Sequence, residues 1–372
     1  MVDDTDFHPS WASPPGETIS DCLQRRSLSL LEFADQIGCS LEAANQLICG
    51  ETAIDQELAE LLDNIIGGSA RFWLSREVQY RDDLRRVNIL HDTATALDWL
   101  DELPVRDMID FGWIQGGNDK FDLALECLRF FNAPSVSSWR KHYKTIGDVV
   151  AFRNSGAFES RLGAVAAWLR QGEREADEIA CKPWNSDRFR QRLWDSRALT
   201  RRKDPEFFVP ELRQLCAECG VAVALVRAPT GCRASGATKF LSPVKALLLL
   251  SFRYRSDDHF WFTFFHEAGH LLLHDRNALF VEGTDMLSTH EEEEADEFSK
   301  VTLVPPQHHD EMLALGRNYR KVMRFARHVG VSPGIIVGQL QHRGHLARNQ
   351  MNFLKRRFVW QDDQWRVIRG TG

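Results

Sequence analysis

The stretch FWFTFFHEAGHLLLH, residues 260–274, constrains the fold more than any other part of the chain. It is too apolar to lie on a surface and is bounded as one buried helix. Within it sits HExxH, His266 to His270. Residues four apart on a helix share a face one turn apart. Two imidazoles so placed can bind one Zn2+ at ~2.0–2.1 Å each. Two histidines inside so apolar a helix also need partners to be buried at all. Glu267 follows the first histidine and projects to the side, where it can take a proton from a metal-bound water.

A catalytic zinc needs a third protein ligand and an open position. The acidic stretch EEEEADE, residues 291–297, can supply one. Glu292 is the favoured ligand. It stands four residues before Asp296, so on a helix the two share a face. Asp296 would then accept the N–H of a ligand histidine and set its tautomer. Glu293 and His290 are the fallback ligands. His274 is assigned a structural place at the helix end, where a histidine suits the helix dipole. Runs 221–227 and 244–253 are apolar and bounded by Gly and Pro, as strands are, with room for another at 231–241. Substrate would lie extended along an edge strand from 233–253.

Residues 17–88 carry helical signals. Ser29 can cap a helix over 30–37, Gly38 can stop it, and Ser40 can cap the next over 41–48. Helix, Gly-Cys-Ser, helix has the length of a helix-turn-helix. Asn45 and Gln46 on the second helix are the candidate contacts to DNA or to a partner. Charge argues for the partner. Residues 1–70 hold 13 Asp/Glu against two Lys/Arg, a net of −11, so the attraction to phosphate that drives non-specific DNA binding is missing. Glu42 and Glu51 would face phosphates unfavourably. The favoured reading is a helix-turn-helix fold serving as a protein–protein or dimerisation module. Residues 306–372 hold 12 Lys/Arg against four Asp/Glu, a net of +8. This basic end, with Arg317, Arg320, Lys321, Arg324, Arg327 and the cluster Lys355-Arg356-Arg357, reads as a solvated face or a partner for the acidic head. A nucleic-acid surface is the alternative.

At these residues a family becomes recognisable. FWFTFFHEAGHLLLH followed by EEEEADEFSKVTLVP resembles the ImmA/IrrE family of zinc metallopeptidase domains, as do GATKFLSPVKALLLLSFRYRSDD upstream and FARHVGVSPGIIVGQLQHRG downstream. Residues 15–86, including SARFW at 69–73, resemble the XRE-type helix-turn-helix of HigA-like antitoxins. The resemblance implies a cytoplasmic zinc peptidase that cleaves a repressor or similar regulator. It places the metal ligands on His266, His270 and Glu292 and the catalytic glutamate on Glu267. Ser299 stands where the family more often has alanine.

Eight scattered cysteines include one CxxC, Cys216 and Cys219, without the second pair a structural zinc would want. They read as reduced thiols. No secretory signal and no membrane span is expected, and the chain reads as cytoplasmic. The expected fold is α+β and mostly helical. It comprises a helix-turn-helix bundle (15–90), a tryptophan-rich helical connector or sensing region (91–195), a zincin-like core with a small sheet (196–305) and a basic helical C-terminal extension (306–372). The expected activity is Zn2+-dependent endopeptidase action on a helix-turn-helix regulator or toxin–antitoxin partner, in a homodimer. The competing expectation is a HigA-like antitoxin or transcriptional regulator whose zincin domain is a sensor with little proteolysis.

Overall fold

Ser29 and Ser40 begin the helices that the sequence assigns to them. In the computed structural model, which describes residues 11–117, 119–143, 162–276, 279–281, 289–361 and 364–368, the first helices are α1 (Pro15–Arg25), α2 (Leu30–Ile37), α3 (Leu41–Ile48), α4 (Gln56–Ile66) and α5 (Ala70–His91). Ser29 and Glu32 form a reciprocal capping box, the Glu32 carboxylate accepting from the Ser29 backbone N–H at 2.8 Å. The Ser40 hydroxyl accepts from the Ala43 N–H at 3.1 Å. Gly38 ends α2 at φ 71°, a left-handed conformation that favours glycine. The apolar faces meet in one core of Ile19, Phe33, Ala44, Leu47, Leu62 and Trp73. α1 rests directly on the end of α3: a Cβ on Gly16 would fall 1.9 Å from the Ile48 carbonyl oxygen.

The chain divides into two units, one of residues up to Asp101 with Ile109–His142, the other of Glu102–Met108 with residues from Tyr143 onward. The span 91–195 is shared between them. Its first part supplies α6 (Thr93–Glu102), α7 (Val105–Asp110), α8 (Lys120–Phe130) and α9 (Val136–His142). Trp99, Phe131 and Trp139 pack edge to face there, with Trp99 and Trp139 centroids 5.4 Å apart. Residues 144–161 of the expected connector lie outside the described residues.

Besides Glu102–Met108, which includes most of α7, the second unit holds α10 (Leu162–Glu178), α11 (Ser186–Ser196) and α12 (Pro205–Ala217). A four-stranded sheet follows in the order β1-β3-β2-β4, from β1 (Val221–Leu225), β2 (Gly236–Ser242), β3 (Lys245–Leu250) and β4 (Phe280–Val281). β1 runs parallel to β3; β2 is antiparallel to both of its neighbours. β1 and β3 read as continuous apolar runs because helices cover both faces. Val221, Val223, Leu248 and Leu250 belong to the core beneath α13 (Asp257–Leu273), the HExxH helix. On the opposite face, Leu249 meets α10 so closely that a Cβ on Gly172 would fall 2.6 Å from it. Trp168 of α10 donates its indole N–H to the Val226 carbonyl at 3.1 Å. The two outer connector helices thus serve as layers of the sheet domain.

After α13 come α14 (Thr289–Leu303), α15 (His309–Leu313), α16 (Tyr319–Val329) and α17 (Pro333–His342). Val322, Phe325, Ile335, Ile336 and Leu340 lie in the same core as Trp261, Phe264 and Phe265 of α13. The helices after 305 are therefore built into the sheet domain. The last element is not helical: β5 (Arg357–Gln361) and β6 (Gln364–Ile368) form an antiparallel hairpin. Aromatic and β-branched residues, dominant in FVW and WRVI, suit a pleated strand better than a helix.

That hairpin is fastened to the start of α13. The Asp257 carboxylate is buried and accepts from the Ser332 hydroxyl at 2.8 Å and from the Arg356 backbone N–H at 3.0 Å. The Arg356 guanidinium donates to the carbonyls of Thr200, Arg201 and Arg202. Lys355 pairs with buried Asp258 at 2.5 Å. Two members of the basic 355–357 cluster are thus internal fasteners, which the reading of the cluster as a charged surface did not foresee. Burial, with a smaller push from Asp258, raises Asp257 to about 6 against the opposing pull of Ser332 and Arg356. A carboxyl whose pKa rises on folding favours the folded chain at low pH. That contribution fades as pH climbs from its ordinary value of 3.8 through about 6. The expected size is on the order of 3 kcal/mol. Urea midpoints of Asp257→Asn and the parent should therefore diverge in favour of the variant between pH 4 and pH 7; a gap that does not change with pH would contradict this.

Candidate metal centre

His266 and His270 stand one turn apart on α13, each with only 1% of its side chain exposed. Their Nε2 atoms are 3.0 Å apart. α14 crosses close over this turn because position 269 is glycine: a Cβ there would meet Phe298 at 3.2 Å and the Cα of Ala295 at 3.3 Å. Ser299 fastens the same crossing, its hydroxyl donating to the Phe262 carbonyl at 2.9 Å. The crossing delivers Glu292. Its carboxylate oxygens lie 3.3 Å from Nε2 of His266 and 3.7 Å from Nε2 of His270.

The other ring nitrogens are held. Nδ1 of His266 lies 3.1 Å from Asp296. A carboxylate accepts, so His266 Nδ1–H donates and its Nε2 carries the lone pair. Burial works against ionised Asp296, but the His266 hydrogen bond and the Lys300 ammonium, 3.2 Å away, hold it below its ordinary range. Nδ1 of His270 lies 2.9 Å from Nδ1 of His274, whose Nε2 lies 3.2 Å from Glu294. Glu294 can only accept, so His274 Nε2–H donates and leaves its Nδ1 as acceptor. His270 Nδ1–H then donates to it, and His270 Nε2 also faces the cluster with a lone pair. Burial, then the neighbouring imidazoles of His266 and His274, push His270 down to about 2, so it stays neutral. The Phe280 ring of β4 covers it at 4.4 Å between centroids, 16° from parallel.

Two imidazole nitrogens and a carboxylate oxygen thus converge within 4.8 Å of one another. Donors at ~2.0–2.1 Å around one tetrahedral ion stand about 3.3 Å apart, close to the three separations here. The donor set suits zinc and its neighbours among the late first-row metals. The predicted His266, His270, Glu292 and Asp296 are brought together in the arrangement that their spacing implies. Fallback His290 is exposed and pairs with Glu294 at 3.3 Å, and Glu293 is exposed. Glu267 is fully buried on the sheet side. A Cβ on Gly236, at the start of β2, would fall 2.4 Å from its Oε1. Asn45 and Gln46 lie far from this centre in the chain, exposed on α3 beside exposed Glu42.

Three participants were not found from the sequence: Gly236, Phe280 and His274 in its orienting place. His274 stands four residues after His270, and that spacing was the available signal. Its partner Glu294 comes from another helix. Along the expected edge strand, β4 pairs with β2 at Ala237 and Thr238. His274→Ala should weaken zinc binding by roughly 10–100-fold, since groups that orient a ligand carry about that much affinity. Competition with a chromophoric chelator measures it; an unchanged affinity would remove His274 from the centre.

An HExxH helix on a small mixed sheet, faced by a carboxylate from the next long helix, defines a zincin-like domain. Residues 227–341 match the family model of the IrrE N-terminal-like domain, Peptidase M78. The match runs through α17, beyond the boundary expected at 305. The N-terminal region is similar to the uncharacterised HTH-type transcriptional regulator YddM of Escherichia coli (strain K12), 34% identical over 61 residues. The match covers 16% of this chain and 65% of that protein, just under two thirds of its length. The chain therefore carries an ImmA/IrrE-like M78 domain together with a region similar to helix-turn-helix regulators. Among the described residues, no helix is long and apolar enough to cross a membrane. All eight cysteines are free thiols; Cys216 and Cys219 are buried, and burial raises both.

Proposed function

We propose that this chain is a zinc-dependent endopeptidase that cleaves a regulatory protein. The observation that carries the reading is the convergence of His266, His270 and Glu292, with both imidazoles oriented from behind by Asp296 and by His274–Glu294. A zinc ion held by those three residues would supply Lewis-acid polarisation of a peptide carbonyl and acidify water. Glu267 would hold a proton between attack and departure of the amine, and its burial would keep that proton from bulk solvent. Asp296 and His274 fix the tautomers that aim both Nε2 lone pairs at one point. The substrate class is a helix-turn-helix regulator, with the N-terminal unit as its recruiting module. The test is incubation of the full chain with the helix-turn-helix regulator encoded nearest to it. New termini that form with zinc and stop on addition of a chelator support the reading; intact regulator at every zinc level overturns it.

The similarity to an HTH-type regulator favours a second reading, a DNA-bound regulator whose zincin domain senses rather than cuts. A mobility shift on the upstream operator separates the two. Exposed Glu42 beside Asn45 and Gln46 argues for weak binding at most, with few phosphate contacts and so a shallow dependence on salt.

A further inference from the structure

A second trio of metal-binding side chains lies outside the centre described above. His308 ends the short turn Pro306–His308 that follows α14, Glu311 lies on α15, and His328 lies in the last turn of α16. One donor atom from each falls within 4.8 Å of the other two. The imidazoles of His308 and His328 meet edge to face, 5.2 Å between centroids and 88° between planes. These three side chains make no hydrogen bond or ion pair with one another or with any described residue. Two imidazoles and a carboxylate have been gathered without being paired.

Both sides of the trio are held in place. Pro305 and Pro306 stiffen the turn, and the His309 ring is hydrogen-bonded to the Val304 carbonyl at 2.8 Å. On α16, Val322, Phe325, Ala326 and Val329 are buried, which sets the helix rotation and leaves His328 outward. His328 also sits at the helix end whose dipole favours a cation. Exposed Arg324 and Arg327 on the same helix oppose one, so the ion must gain from direct bonds to nitrogen and not from charge alone.

We propose that His308, Glu311 and His328 form a second, solvent-accessible site for a zinc-class divalent cation. Two imidazoles with one carboxylate select zinc and its late first-row neighbours over calcium or magnesium, which take oxygen donors. His308 is half-buried while Glu311 and His328 are exposed, so the ion exchanges with solvent and keeps open positions. Once bound, it ties the segment leaving α14 to the end of α16, across the loop at 314–318. It thereby steadies the helix that carries Glu292 and Asp296 without touching either.

Equilibrium dialysis of the full chain against micromolar zinc tests this. The parent should hold two equivalents, His328→Ala one, and His266→Ala one. Adding His328→Ala to His266→Ala should leave none. Glu311→Gln should weaken the second equivalent, and calcium at the same concentration should not occupy it. In the His266→Ala background, zinc should raise Tm, and His328→Ala should abolish the rise. No equivalent held by His266→Ala, a stoichiometry unmoved by His328→Ala, or occupation by calcium would overturn the proposal. Because the His266→Ala arm isolates the second site, the result stands or falls separately from any peptidase activity.

Discussion

Glu267→Gln should leave zinc content at the parent level and reduce turnover by roughly 10²–10⁴-fold. The metal content is expected to survive because none of the converging donor atoms belongs to Glu267: they come from His266, His270 and Glu292. Glutamine matches glutamate in shape, so the fully buried pocket on the sheet side stays filled. What is lost is the ability to take up and return a proton, a contribution typically worth 10²–10⁴-fold. Zinc analysis and product quantification on the same sample give both halves of the result. Parent-level cleavage by the zinc-loaded variant would remove Glu267 as the base. Loss of zinc together with activity would instead mean that Glu267 helps to hold the metal.

The contrast between Glu267 and its neighbours shows what the sequence made legible. Ligands spaced along one helix are a matter of helical geometry, so His266 with His270 is legible from spacing; the same spacing favours Glu292 with Asp296 while leaving Glu293 and His290 open, and the family resemblance points to Glu292. The same holds for Ser29, Ser40 and Gly38, whose capping chemistry is local: α2 begins and ends, and α3 begins, where those residues require. Contacts between elements were not legible. Nothing near His274 in the chain shows that Glu294 will meet it. Lys355 and Arg356 read as surface charge until Asp258 and the carbonyls of 200–202 are seen against them. The tryptophan-rich span reads as a region of its own because helical periodicity reports an apolar face and not what that face will cover. In α10 that face covers the sheet. The hairpin at 357–368 does not stand out in the sequence, because its two strands are short and follow a long helical run.

Gly236→Ala is the sharpest test of how the sheet serves the centre. Position 236 opens β2, directly beneath α13. An added Cβ would lie 2.4 Å from Oε1 and 2.6 Å from Cγ of Glu267, and 2.7 Å from Cγ2 of Thr263. Real Cβ atoms do not approach that closely, so something must move. The strand backbone is pinned by antiparallel pairing to β3 and, next door at Ala237, to β4. Thr263 and Glu267 stand four apart on one face of α13, whose other faces are locked in the aromatic core with Phe264 and Phe265. The Glu267 side chain is the softest element, and it should rotate away from its place. A displacement of about 1 Å at a catalytic group can cost about 10²-fold in rate. The metal-facing nitrogens of His266 and His270 are aimed by Asp296 and His274 from α14 and the end of α13, away from the strand, so zinc affinity should hold. The expected signature is a fall in kcat of about 10²-fold with KM and zinc content little changed. Loss of zinc would show that the strand supports the ligands themselves. Parent-level kcat would show that Glu267 does not need the position in which this glycine leaves it.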